Sequence, residues 1–127
     1  MLQSTQRYDS RNLEVGAISR QLKILATELR IPIVVLCQLN RTQDETEEPG
    51  LMSLRDSGEL EQNANKIVFL WKIDSDTGTI GVKVAKNRRG RTGIVQMGFD
   101  GSHMRFTELT EDYIRAVKKR GWRNEGA

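Results

Sequence analysis

The stretch IPIVVLC, residues 31–37, is apolar at successive positions and rich in β-branched side chains. Successive side chains of a strand point to opposite faces, so such a run needs cover on both, which a parallel sheet flanked by helices supplies. Pro32 cannot continue a helix, because its ring clashes with the preceding turn and it has no N–H to donate. Upstream, Leu13, Ala17, Ile18, Leu22, Leu25 and Leu29 recur at roughly helical spacing. Residues 13–29 therefore read as an amphipathic helix that stops near Arg30, with Asp9, Ser10 and Asn12 available as N-cap. A helix followed by a two-sided strand implies an α/β fold.

Downstream, residues 41–53 are polar and acidic, contain Pro49 and Gly50, and read as a mobile surface loop. A short helix over 58–65 leads into a second two-sided strand, 67–71. The period then becomes two. Ile80, Val82 and Val84 alternate with Gly81, Lys83 and Ala85, and Val95, Met97 and Phe99 with Ile94, Gln96 and Gly98, the pattern of half-buried strands. SDTG near residue 76 and DG at 100–101 supply hairpin turns, with Met104 and Phe106 on a last short strand. The expected architecture is a mixed sheet, its central strands parallel and its C-terminal ribbons antiparallel. A weakly amphipathic segment (Leu109, Tyr113, Ile114, Val117) opens a basic, flexible tail over 108–127.

Composition narrows the function classes. At 127 residues, 37% hydrophobic and 29% charged, the chain has the make-up of one globular domain. No apolar run approaches the roughly 18 residues of a membrane span, and MLQSTQRYDS lacks the regions of a secretory signal, so a soluble, cytoplasmic protein is expected. The single cysteine, Cys37, sits in an apolar run and is expected to be a buried small hydrophobe. It excludes a disulfide framework and a cysteine metal site. The single histidine, His103, expected at the surface of a late edge strand, excludes a Ser-His-Asp arrangement and a histidine metal cluster. Neither GxxxxGK[ST] nor GxGxxG occurs, so the chain carries no phosphate cradle of its own. Net charge is +3, but it is segregated: acids gather at 44–49 and bases at 86–91 and 118–123.

Three places have functional potential beside an ordinary reading. Gln38, Asn40 and Arg41 leave the first central strand at its carboxyl end, where open parallel sheets bind ligands and a Gln amide can sense a phosphate or polarised water; they also simply solvate a strand end. KNRRGR, residues 86–91, puts four bases in six residues on a hairpin, suited to phosphate or to plain solvation. Arg55, Asp56, Ser57 and Gly58 precede the short helix, where Asp56 or Ser57 caps it or the free N–H groups meet a phosphate backbone.

Taken together, SRQLKILATELRIPIVVLCQLNR, SLRDSGELEQNANKIVFL and KNRRGRTGIVQMGF, in that order, resemble the C-terminal half of the RecA-like motor domain of DnaB-type replicative DNA helicases over residues 12–107. The resemblance implies a partial RecA-like, P-loop NTPase fold for residues 1–107. It implies an ATP-driven hexameric ring that unwinds DNA. Gln38 matches the glutamine that links the nucleotide site to the DNA loops. Arg55, Asp56, Ser57 and Gly58 match the loop that holds the single-stranded DNA backbone, with Asp56 where Glu is common. Lys86 and Arg88 match the Lys-x-Arg pair that reaches the nucleotide of the neighbouring subunit, Arg88 as arginine finger.

Of the family's metal-holding motif only Leu2 and Gln3 are matched, and Asn63 and Asn65 stand where acids are often found. The expectation is therefore a portion of the helicase that is inactive alone, with ATP and Mg bound mainly by residues this chain lacks, no metal site of its own, and an exposed apolar sheet edge that favours self-association. The competing readings are a non-catalytic basic nucleic-acid-binding module and a part of another RecA-like ATPase.

Overall fold

The computed structural model describes the backbone of residues 4–39 and 46–120, and the side chains of residues 13–39, 46–54 and 58–116. Helix α1 runs over Ser4–Leu29, longer than its apolar spacing implies, so Asp9, Ser10 and Asn12 lie inside it and none is its N-cap. It stops where Pro32 requires. Arg30 takes a left-handed conformation (φ 54°) and the Ile31 N–H donates back to the Ala26 carbonyl at 3.2 Å, the long bond of a Schellman ending.

Beyond it the expected central strand does not form. Residues 31–37 pair with no other strand among the described residues, and Val34 and Leu36 are 85% and 92% exposed. Cys37, expected to be buried, is exposed too. The reason is physical: apolar patterning makes a strand only when neighbours accept its peptide bonds and cover its side chains.

The sheet that does form is antiparallel throughout, with order β1-β2-β3-β4 for Lys66–Asp74, Thr79–Asn87, Gly93–Asp100 and Arg105–Glu108. No parallel pair occurs among the described residues, so the expected parallel centre is not present in this sheet. Register puts Trp71 opposite Gly81, and Leu70 opposite Val82 and then Val95. One face carries the small core, Phe69 and Trp71. The Trp71 ring lies on Gly81, where any Cβ would collide with it, and Tyr113 from helix α3 (Glu111–Arg120) lies against Gly98 in the same way.

The other face holds Val68, Leu70, Val95 and Phe106, all exposed, with the Phe106 ring tilted at 45° to that of Phe99, 4.8 Å between centroids. The strand read as two-sided, 67–71, is thus covered on one side.

A helical layer joins α1 to the sheet. A 3-10 helix, Leu51–Ser57, starts at Gly50, whose N–H donates to Ser53 Oγ (3.3 Å) while the Ser53 N–H donates to the Gly50 carbonyl (2.8 Å). The loop read over 41–53 is therefore partly helical; its residues 41–45 lie outside the described ones. The 3-10 helix passes directly into α2, Gly58–Asn63. α1 turns Gly16 and Ser19 toward α2, while Leu13, Ile18, Leu25 and Leu29 of the expected apolar stripe stay exposed. At the far end, Met104 (φ 49°) and His103 occupy the turn before β4 rather than the strand. No helix among the described residues is long and apolar enough to cross a membrane.

Candidate functional site

The site forms where the β2–β3 hairpin meets the C-terminus of α2. The last carbonyls of a helix have no partner within it and carry the negative end of its dipole, so cations are favoured there. Lys86 Nζ donates to the Glu61 carbonyl at 2.6 Å and lies 3.5 Å from that of Gln62. Lys23 Nζ, from α1, donates to the Asn63 carbonyl (2.9 Å) and Asn65 Oδ1 (3.2 Å). The Arg88 N–H donates to the Asn65 carbonyl at 3.0 Å. α1 is further fastened to α2 by Asn63 Nδ2 donating to Ser19 Oγ (2.7 Å) and by an Arg20–Glu59 ion pair.

The hairpin itself is braced at its base, where Asn87 Nδ2 donates to the Arg91 carbonyl (3.1 Å) and the Gly90 N–H to that of Asn87 (3.3 Å). Arg88, Arg89 and Arg91 are exposed. The two members of the Lys-x-Arg pair thus face different ways, Lys86 inward to α2 and Arg88 to solvent.

The other expected residues are placed as follows. Arg55, Asp56 and Ser57 lie in the 3-10 helix and Gly58 opens α2 with helical angles (φ −54°, ψ −32°). Leu54 (φ −99°, ψ 18°) is non-helical, so a kink separates the turn that starts at Gly50 from the run that carries residues 55–57 into α2. Gln38 is exposed at the end of the unpaired 31–37 segment, with no side-chain bond to the α2 cluster among the described residues; Asn40 and Arg41 lie outside them.

Sequence reading missed the anchoring contacts of Lys23 and of Lys83, which bonds Glu48 Oε1 at 2.6 Å and fixes the acidic segment to β2. Periodicity carries no signal for contacts between residues this far apart in the chain. No group of three or more His, Cys, Asp or Glu that could hold a metal is assembled among the described residues.

The sequence matches the family described as DnaB-like helicase C terminal domain over residues 1–108. The chain belongs to that family. It is 40% identical over 111 residues to the replicative DNA helicase DnaB of Haemophilus influenzae, covering 81% of this chain and 24% of that protein. For the DnaB of Leifsonia xyli subsp. xyli the figures are 38% over 117 residues, 86% and 26%. Among solved structures, a DnaB-like replicative helicase, described with its interactions with primase, superposes with a TM-score of 0.72 at 34% identity, over 79% of this chain and 26% of that one. A second solved structure, an ATPase domain, gives 0.71 at 34%, over 79% and 38%. This DnaB-family chain spans about a quarter of the length of the curated relatives it matches.

Proposed function

We propose that the chain is the C-terminal portion of a hexameric replicative DNA helicase, contributing an arginine finger in trans and a loop that grips single-stranded DNA. The observation that carries this reading is the placement of Arg88: exposed on a hairpin whose backbone is fixed to α2, it is free to reach a neighbouring subunit. An Arg supplied in trans stabilises charge on a transferring phosphoryl group when subunits close together, which makes hydrolysis depend on assembly. Residues 55–58 would hold DNA through its phosphates, giving grip without sequence preference. Gln38 would relay between the nucleotide and DNA sites, and the parallel centre expected around residues 31–37 would form with strands supplied from outside this chain.

In this reading ATP and Mg are bound mainly by residues outside this chain, whose sequence carries no GxxxxGK[ST] loop. On this reading the chain's own residues act on a triphosphate held elsewhere, and the chain alone is expected to be inactive. The test mixes it with a helicase polypeptide carrying the phosphate-binding loop and assays DNA-stimulated ATPase. Wild type restores activity, and Arg88→Ala lowers it by roughly 10³-fold or more. Full activity with Arg88→Ala would refute the reading.

A further inference from the structure

The β2–β3 ladder ends at Val84 opposite Gly93, yet β2 runs on to Asn87, which pairs on its other side with Lys66 of β1. The limb returning from Arg88 to Thr92 therefore has no ladder partner in β2, and contacts of another kind must hold it. We propose that Asn87 is a positioning residue for Arg88: its amide fills the space that Gly90 leaves open and closes the turn on the Arg91 carbonyl, so that the turn presents Arg88 in one conformation. This rests on the reading that Arg88 acts in trans.

Asn87 holds the returning limb at two points. Its Nδ2 donates to the Arg91 carbonyl at 3.1 Å, and its own carbonyl accepts from the Gly90 N–H at 3.3 Å. On the opposite side the Arg88 N–H donates to the Asn65 carbonyl at 3.0 Å. The backbone around Arg88 is thus restrained from two directions while its side chain stays exposed. A Cβ at Gly90 would fall 2.5 Å from Asn87 Nδ2, closer than real Cβ atoms approach any neighbour. Gly90 is not among the residues with positive φ, so its lack of a side chain makes room for the amide and is not needed for the backbone angle. The amide has one workable orientation, because turned over it would set Oδ1 against the Arg91 carbonyl, acceptor facing acceptor. A charged group that must meet a transferring phosphoryl group loses most of its effect when misplaced by about 1 Å, so a turn of fixed shape matters to Arg88 as its charge does.

The complementation assay tests this, with the 127-residue chain titrated against a polypeptide that carries the phosphate-binding loop. In Asn87→Ala the maximal DNA-stimulated ATPase turnover is expected to fall about tenfold or more, while the chain concentration giving half of it stays within about twofold. Gly90→Ala should lose as much, because its methyl displaces the amide, and the double variant should lose no more than either single one. Turnover within about twofold of wild type in either single variant, or losses that multiply in the double, overturns the proposal. A loss seen in the half-saturating concentration instead of the turnover overturns it too, since that is a defect of assembly.

If wild type restores no ATPase, the trans reading fails, and the hold on the turn is decided in the chain alone by NMR relaxation. Order parameters of the Arg88 and Arg89 amides near about 0.8 in wild type and below about 0.6 in Asn87→Ala, with Val82 and Val95 unchanged, support it; equal values in the two proteins refute it. Should Asn87→Ala disorder Val82 and Val95 as well, the wild-type side chain decides: slowly exchanging Nδ2 protons with contacts to Gly90 and Arg91 support the role, and a freely exchanging amide without them refutes it.

Discussion

Gly81→Ala is the substitution whose effect the packing fixes most firmly. Gly81 is buried opposite Trp71, and a Cβ built there falls well inside van der Waals contact of Cζ2, Cε2 and Cη2 of the indole. Those are rigid ring atoms, not the end of a flexible chain, so the indole has to move as a body. Trp71 and Phe69 are the buried hydrophobic core among the described residues, so there is little around them to absorb the shift. Overpacking of this kind costs about 1–3 kcal/mol. The reduced freedom of the unfolded chain returns about 0.4–1 kcal/mol. The net expectation is a loss of about 1–2 kcal/mol, read as a lower urea midpoint by far-UV circular dichroism.

Gly93→Ala is the control, because nothing lies within 4 Å of the Cβ it would add. It should be neutral or slightly stabilising. In a Trp71→Ala background the penalty of Gly81→Ala should vanish, and the double-mutant cycle measures it. Equal midpoints for Gly81→Ala and Gly93→Ala, or an undiminished penalty without the indole, would refute the packing argument.

Two further outcomes follow from exposed features. Asp100 accepts bonds from His103 (2.8 Å) and from the Ser102 N–H (3.0 Å), and the His103 bond above all holds its carboxyl below the ordinary carboxylate range. Its folded pKa is depressed, so its contribution to the β3–β4 turn is present above about pH 3.9 and is lost as pH falls through the lower folded value. The stability difference between wild type and Asp100→Asn should shrink toward zero on acidification, and a difference constant down to low pH contradicts it. Separately, Val34→Lys with Leu36→Lys places charge on the most exposed apolar stretch and should reduce self-association in light scattering; unchanged association would place the sticky surface elsewhere.

Which parts of the molecule were legible in its residues follows from the range of the forces involved. The end of α1, the two-residue period of β2 and β3, the hairpin carrying Lys86 and Arg88, and the short helix at 58 are set by local physics: proline's missing donor, alternation of apolar side chains, glycine at tight turns. Parts of the family motifs lie on these same segments, which is why the chain's kinship could be read before its fold.

Tertiary structure alone decided the rest. Whether residues 31–37 become a strand depends on partners for their peptide groups, and their composition is silent on whether those partners exist. Which side of α1 is buried was settled by the fit of Gly16 and Ser19 against α2, not by its leucines. That Lys86 turns to α2 while Arg88 faces solvent is a matter of distances between residues far apart in the chain, and no local pattern encodes it.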